Sequence, residues 1–234
     1  MEITREIAIK VRDTVDAGLV AGVGKPEPGK LCVEAAVCFA LGLPHGDDPQ
    51  CVAQPLRRLK IRLNDAAWSS KEARAKGLRR LAVAQLGSAG VLDEKEFVRR
   101  VVDVTIRRAV PVGLRAAAKA NPKFAERLEA CAVRCEQEGT RESCQEAHLL
   151  ARAAAAAAAD AVAYAAAVDA AVAAAYAAAV DAADAAVAAA DAVAYADAAR
   201  TRDRVLAQYA EWVVEILIDM KAPGCQWLEL VPLN

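Results

Sequence analysis

Residues 151–199 read ARAAAAAAADAVAYAAAVDAAVAAAYAAAVDAADAAVAAADAVAYADAA: 33 Ala, six Asp, six Val, three Tyr and one Arg, without Gly, Pro, Lys or Ser. Ala is the strongest intrinsic helix former, because fixing it in a helix costs no side-chain entropy and hides no polar group. The stretch predicts one long helix, or two helices with a capped break. At about 100° per residue from Asp160, eight of the nine Val and Tyr fall between roughly 40° and 200°, Tyr195 being the exception. Four of the six Asp fall outside that arc. This describes an amphipathic rod rather than featureless low complexity. Unbroken, it would span roughly 75 Å at about 1.5 Å per residue, longer than a compact domain of this size holds. Asp181 and Asp184 are the residues suited to cap a new start. Because small side chains let helices approach closely, the expected fold is all-α: a multi-helix bundle with one long Ala-rich helix, continuous or broken, packed against a C-terminal amphipathic helix.

The rest of the chain also reads as helices. Ile3, Ile7, Val11 and Val15 recur every four residues. A turn-rich connector, Gly22 to Gly29, precedes a helix over about 31–41, which ends at Gly42-Leu-Pro44-His-Gly46-Asp-Asp-Pro49. A shorter helix is expected over 56–63. Ser69-Ser-Lys-Glu72 matches a capping box and opens a helix stopping near Gly87. Asp93-Glu-Lys-Glu96 starts another that runs towards Ala120, bent or broken at Pro111, which lacks the amide hydrogen a helix interior needs. Asn121-Pro122 begins a helix ending near Gly139. The last helix carries an apolar stripe from Val205 to Met220, and Trp227 to Val231 reads as one short strand. Two regions are expected, 1–139 as a basic multi-helix region and 140–234 as the Ala-rich helix plus the C-terminal helix, packed together as one domain.

Net charge is −1, with 30 Lys and Arg against 31 Asp and Glu. That sum hides a split: residues 1–152 carry a net +6 and residues 153–234 a net −7. The simplest use of the split is the acidic helix lying beside the basic half. Met1 to Val15 is charged throughout, so no secretory signal is expected. The six Asp argue against a membrane span. Seven Cys, an odd count, read as reduced thiols of a cytoplasmic protein rather than a secreted disulfide frame.

Four constellations carry candidate chemistry. Cys131, Cys135, Cys144 and His148 form two i,i+4 pairs, with Gly139 between them to turn the chain. Three thiolates and an imidazole suit tetrahedral zinc if the two helices fold back on each other, and zinc is the one cofactor this chain suggests. The leading reading is nonetheless that the cysteines are small buried hydrophobes and that no cofactor is bound, with zinc as the alternative. His45, Asp47 and Asp48, near Cys32, Glu34, Cys38 and Cys51, form a loop of ligand-binding type, although Asp before Pro49 is equally a turn signal. Arg57, Arg58, Lys60 and Arg62, followed by Lys71, Arg74, Lys76, Arg79 and Arg80, form the densest basic stretch, suited to nucleotide or nucleic-acid phosphate. Their interleaving with Leu56, Leu59, Ile61 and Leu63 predicts buried apolar groups and solvated charges. Gly24-x4-Gly29-Lys30 imitates a phosphate loop, but Leu31 replaces the hydroxyl residue, and Pro26 and Pro28 remove amide donors. With only two His and no nucleophile elbow, most hydrolase readings lose support.

The segment Cys32-Val-Glu-Ala-Ala-Val-Cys-Phe-Ala-Leu-Gly-Leu-Pro-His-Gly-Asp-Asp-Pro49, with Lys60 to Asp65, Trp68 to Ser70, Gly77 to Ala82 and Met220 to Trp227, resembles uncharacterised Ala/Asp/Tyr-rich bacterial and phage proteins. Some of these carry an immunity-protein label. The resemblance covers most of the chain, brings no catalytic residues, and implies a mobile-element setting with a binding role. The leading expectation is a non-enzymatic binding protein, an immunity or anti-defence factor sequestering a protein or small ligand, with self-association through the Ala-rich helix and no membrane partner. The alternatives are a nucleotide- or nucleic-acid-binding protein using Arg57, Arg58, Arg79 and Arg80, and a small metal-dependent enzyme using the 45–48 loop.

Overall fold

The computed structural model describes residues 2–157 and 199–233. The expected Ala-rich rod over 158–198, its break and its docking face lie outside the described residues. Among these residues the protein is all-α, with nine α-helices and no strand. Two isolated bridges join Leu19 and Gly24 to Leu31. No helix among them is long and apolar enough to cross a membrane. The chain divides into two compact units, Met1–Val98 with Ala207–Asn234, and Arg99–Leu206.

The first unit is built around one short helix. Helix α1 (Arg5–Asp16), capped by the Thr4 hydroxyl, buries Val11 and Val15 of the four-residue recurrence together with Ala8, while Ile3 and Ile7 are half-buried. Helix α2 (Val33–Ala40) has Val33 through Cys38 buried on every side. It packs against α1, α3 (Gln54–Asp65) and α4 (Lys71–Ala84). A helix enclosed all round must be apolar all round, which makes Glu34 on α2 an exception needing a cause. Helix α3 buries Leu56, Leu59, Lys60 and Leu63, an i, i+3, i+4, i+7 stripe. The end of α3 is held by Arg74, which donates to the Asn64 and Ala66 carbonyls and ties them to the Leu19 carbonyl of the segment after α1.

Helix α4 starts one residue later than the capping-box reading predicts. Ser70, not Ser69, is the cap, its hydroxyl accepting from the Ala73 amide at 3.0 Å. Within α4, Gly77 lies under the Trp68 indole, where a Cβ would clash, and Trp68 itself donates to the Leu63 carbonyl at 2.8 Å. The C-terminal helix, α9 (Ala199–Asp219), buries Tyr209, Val213 and Leu217. Arg80 of α4 pairs with Glu211 at 2.9 Å and donates to the Val231 carbonyl at 2.7 Å. The tail is a 3-10 helix, Pro223–Leu230, rather than the strand expected for Trp227 to Val231. Pro223 opens that helix, and it packs on α1 and α4 without any strand partner being within reach.

Helix α5 (Glu94–Val104), whose first residues belong to the first unit and whose last belong to the second, starts on the Asp93 carboxylate, which accepts from the Lys95 and Glu96 amides. The break expected at Pro111 takes the form of a π turn over Thr105–Ala109, after which α6 (Val110–Ala120) continues. Widening the turn just before a proline relieves the lost donor without ending the helix. A 3-10 turn, Pro122–Phe124, leads into α7 (Ala125–Glu138), and Gly139 then turns the chain into α8 (Arg141–Ala157). Gly139 sits at φ +62° beneath the Arg107 guanidinium. That group donates to the Glu136, Gln137 and Glu138 carbonyls and so satisfies the end of α7. Helices α6, α7 and α8 close on Leu114, Leu128, Cys135, Cys144 and Leu150.

Candidate functional site

The centre of the first unit holds a charged pair with no access to solvent. Glu34 in the first turn of α2 and Lys60 in the middle of α3 are both 0% exposed, with Nζ 3.4 Å from Glu34 Oε2. Gln85, directly after α4, is also fully buried and donates from Nε2 to the same Oε2 at 3.1 Å. The positive influences on Glu34 are the Lys60 ammonium and, more weakly, the Arg57 guanidinium. Burial outweighs them and pushes its carboxyl up to about 7. Burial likewise lowers Lys60, against the pull of Glu34. Cys32, Cys38 and Cys51 lie beside the pair, and burial raises all three thiols, Cys38 to about 11. They are protonated at neutral pH, and so apolar fillers rather than nucleophiles.

The shell around this cluster is made of backbone-holding side chains. Cys32 caps α2, its Sγ accepting from the Ala35 amide at 3.3 Å. Asn64 accepts from the Val33 amide at 3.1 Å and donates to the Val20 carbonyl at 2.9 Å, fixing the start of α2 to the preceding loop. Ser88 accepts from the Ala53 amide at 2.9 Å and so holds the start of α3. A cavity of about 100 Å³ touches Gly22, Cys32, Asp47, Asn64 and Asp65. At about 30 Å³ per water, it holds about three waters, well short of a drug-sized ligand.

The sequence-predicted residues fall around this cluster. Asp47 and Asp48 pair with Arg57 at 2.8 and 3.4 Å, and Arg57 also donates to the Asp47 carbonyl. His45 is exposed, with Nε2 3.2 Å from the Gly24 carbonyl oxygen. The loop and the start of the basic stretch thus come together, joined to each other. Arg79 pairs with Asp16 at 2.7 Å and Arg80 with Glu211, while Arg58 is exposed. Lys60 departs from the expectation of a solvated charge. Alternation with apolar neighbours is the arithmetic of a strand. On a helix, position 60 shares the stripe of Leu56, Leu59 and Leu63. That spacing was the available signal for Lys60. None existed for Gln85, which reaches Glu34 from 51 residues away.

The fold-back that the zinc reading requires is present in the second unit. Cys131, Cys135 and Cys144 all turn into the α6–α7–α8 core, and His148 is half-buried. Cys135 hydrogen-bonds to Cys131, lowering the Cys131 thiol and raising its own. Burial pushes Cys144 up to about 12. Among the described residues, no group of three or more His, Cys, Asp or Glu side chains is placed to hold a metal ion. Outside this core, a depression of about 360 Å³ between α7 and α8 is lined by Arg127, Cys131, Arg134, Glu146, Leu149 and Leu150, among others. Leu149 is 68% exposed there.

No family model, curated protein or solved structure matches the chain.

Proposed function

We propose that the chain is a non-enzymatic binding protein whose partner surface is the α7–α8 depression. The observation that carries this reading is Leu149, a large apolar side chain held in the open at the edge of a concavity of binding-site size. The rim supplies the chemistry of the partner. Arg134 is engaged by Glu138 and Glu146, whereas Arg127 stacks on the Phe124 ring with its centroid 5.9 Å away. A guanidinium beside exposed leucine suits a protein segment that presents an apolar side chain next to a carboxylate. Support also comes from the 45–48 loop, whose carboxylates are spent on Arg57. An immunity or anti-defence role for such binding rests on the sequence resemblance.

Native mass spectrometry of the protein isolated from its own host tests the reading, comparing the parent chain with Leu149→Glu and Arg127→Glu. The expected result is a bound polypeptide that the parent retains and both variants lose. A polypeptide kept by Leu149→Glu, or no bound species at all, overturns it. Turnover of a nucleotide or ester substrate by the pure protein would do the same.

A further inference from the structure

The Glu34–Lys60–Gln85 cluster is incomplete as a set of hydrogen bonds. Glu34 Oε1, Gln85 Oε1 and Lys60 Nζ are sealed from solvent; the two oxygens have no hydrogen-bond partner among the described residues, and Nζ has only its 3.4 Å approach to Glu34 Oε2. Such groups in a dry interior are destabilising, charged ones most of all, and native cores almost always satisfy them. The three atoms belong to groups that already meet at one point, Glu34 Oε2. The Gln85 amide is fixed in its orientation by that meeting. Turned over, its oxygen would face the carboxylate, acceptor against acceptor.

The chemistry of the missing partner follows from counting. Two orphaned acceptors call for two donors, and the ammonium, with three N–H groups, calls for at least one acceptor beyond Glu34 Oε2. The ion pair is already neutral as a unit, so the guest must be neutral too. A cation suited to the two oxygens would be repelled by Lys60, and an anion suited to Lys60 would be repelled by Glu34. We infer that the Glu34–Lys60–Gln85 cluster is a binding site for one internal water, which donates to Glu34 Oε1 and Gln85 Oε1 and accepts from Lys60. Cys32 both lines the small cavity and lies beside the ion pair.

A high-resolution crystal structure of the full chain tests the assignment directly. The expected result is a single density peak within hydrogen-bonding distance of all three atoms, without anomalous signal and unchanged between chloride and nitrate salts. A dry core overturns the inference, and so does a chloride or a cation at that position. Oxygen-17 relaxation dispersion gives a second measurement in solution. Replacing all three side chains, Glu34→Leu with Lys60→Met and Gln85→Met, is expected to remove about one long-lived water from the parent's count. An unchanged count in the folded variant counts against the site, and if that variant does not fold the crystallographic result decides.

Discussion

The two units of this protein bury thiols in the same way and charges in opposite ways. Around α2, three protonated cysteines surround an ion pair that is wholly inside. Around α7 and α8, three cysteines fill a core without a charged side chain, and the ions Arg115, Glu129, Arg134, Glu136 and Glu146 stay at the surface. Buried cysteine is thus the ordinary behaviour of a small apolar group and points to nothing special in either unit. The internal ion pair is what sets the first unit apart. Its attraction must offset the desolvation of two charges, and such pairs often do no better than an apolar core of the same shape.

Separating the pair gives the largest expected effect. Lys60→Met leaves the Glu34 carboxylate buried without its cation, which should cost about 3–5 kcal/mol at pH 8. The pH dependence follows from the direction of the shift. Glu34 already lies at about 7 with Lys60 beside it, and loss of a cation that lowers it takes it higher. A carboxyl raised in the folded state contributes stability at pH below its unfolded value, near 4.5, and that contribution is lost as pH rises through the folded value. Lys60→Met should therefore regain stability on the parent as pH falls from 8 towards 5, in urea unfolding followed by circular dichroism. Adding Glu34→Leu should remove both the pH dependence and most of the loss. If the double variant is as unstable as the single one, the charges are not the source of the effect.

Cys144→Ala probes the thiol-filled core in the other unit. It deletes one fully buried sulfur and should cost about 1–2 kcal/mol as a small cavity. Burial holds the Cys144 thiol near 12, so it is protonated in both the folded and unfolded states below pH 8. The cost should be the same at pH 5 and pH 8, in the same urea measurement. A cost that grows with pH over that range would mean that Cys144 carries charge, and the contrast between the two cores would fail.

Periodicity made the helices legible. The Val11–Val15 spacing, the Asp93 cap, the break before Pro111 and the turn at Gly139 all follow from rules that act within a few residues. The site was half legible for the same reason. Cys32, Glu34, Asp47 and Arg57 stand out as chemistry-bearing types, yet their partners are set by tertiary approach. Gln85 reaches Glu34 across α2 and α4, and Asn64 holds Val33 and Val20 from the end of α3. Lys60 alternates with apolar neighbours along the chain, yet at helical spacing it falls on the buried face of Leu56, Leu59 and Leu63. The Trp227 to Val231 segment is a short apolar run read as a strand, and it lies instead at the end of a 3-10 helix that Pro223 starts. Local rules place residues on faces, but which faces meet is decided by the whole chain.

The smallest effect belongs to the surface ions of the second unit. Arg115 forks onto Glu136 at 2.5 and 2.9 Å and reaches Glu129 at 2.9 Å, a geometry as good as any inside the protein. The hydrogen bonds that Arg115 donates to these carboxylates raise its guanidinium and lower Glu136. All three side chains remain more than a third exposed, so water and salt weaken what the short distances suggest. Arg115→Ala should cost about 0.2–1 kcal/mol in low salt, shrinking towards nothing in 1 M sodium chloride. Lys60→Met should keep its cost in the same salt, because ions cannot enter a sealed core to screen it. A salt-insensitive loss at Arg115 as large as that at Lys60 would show that burial is not what separates the two sets of charges.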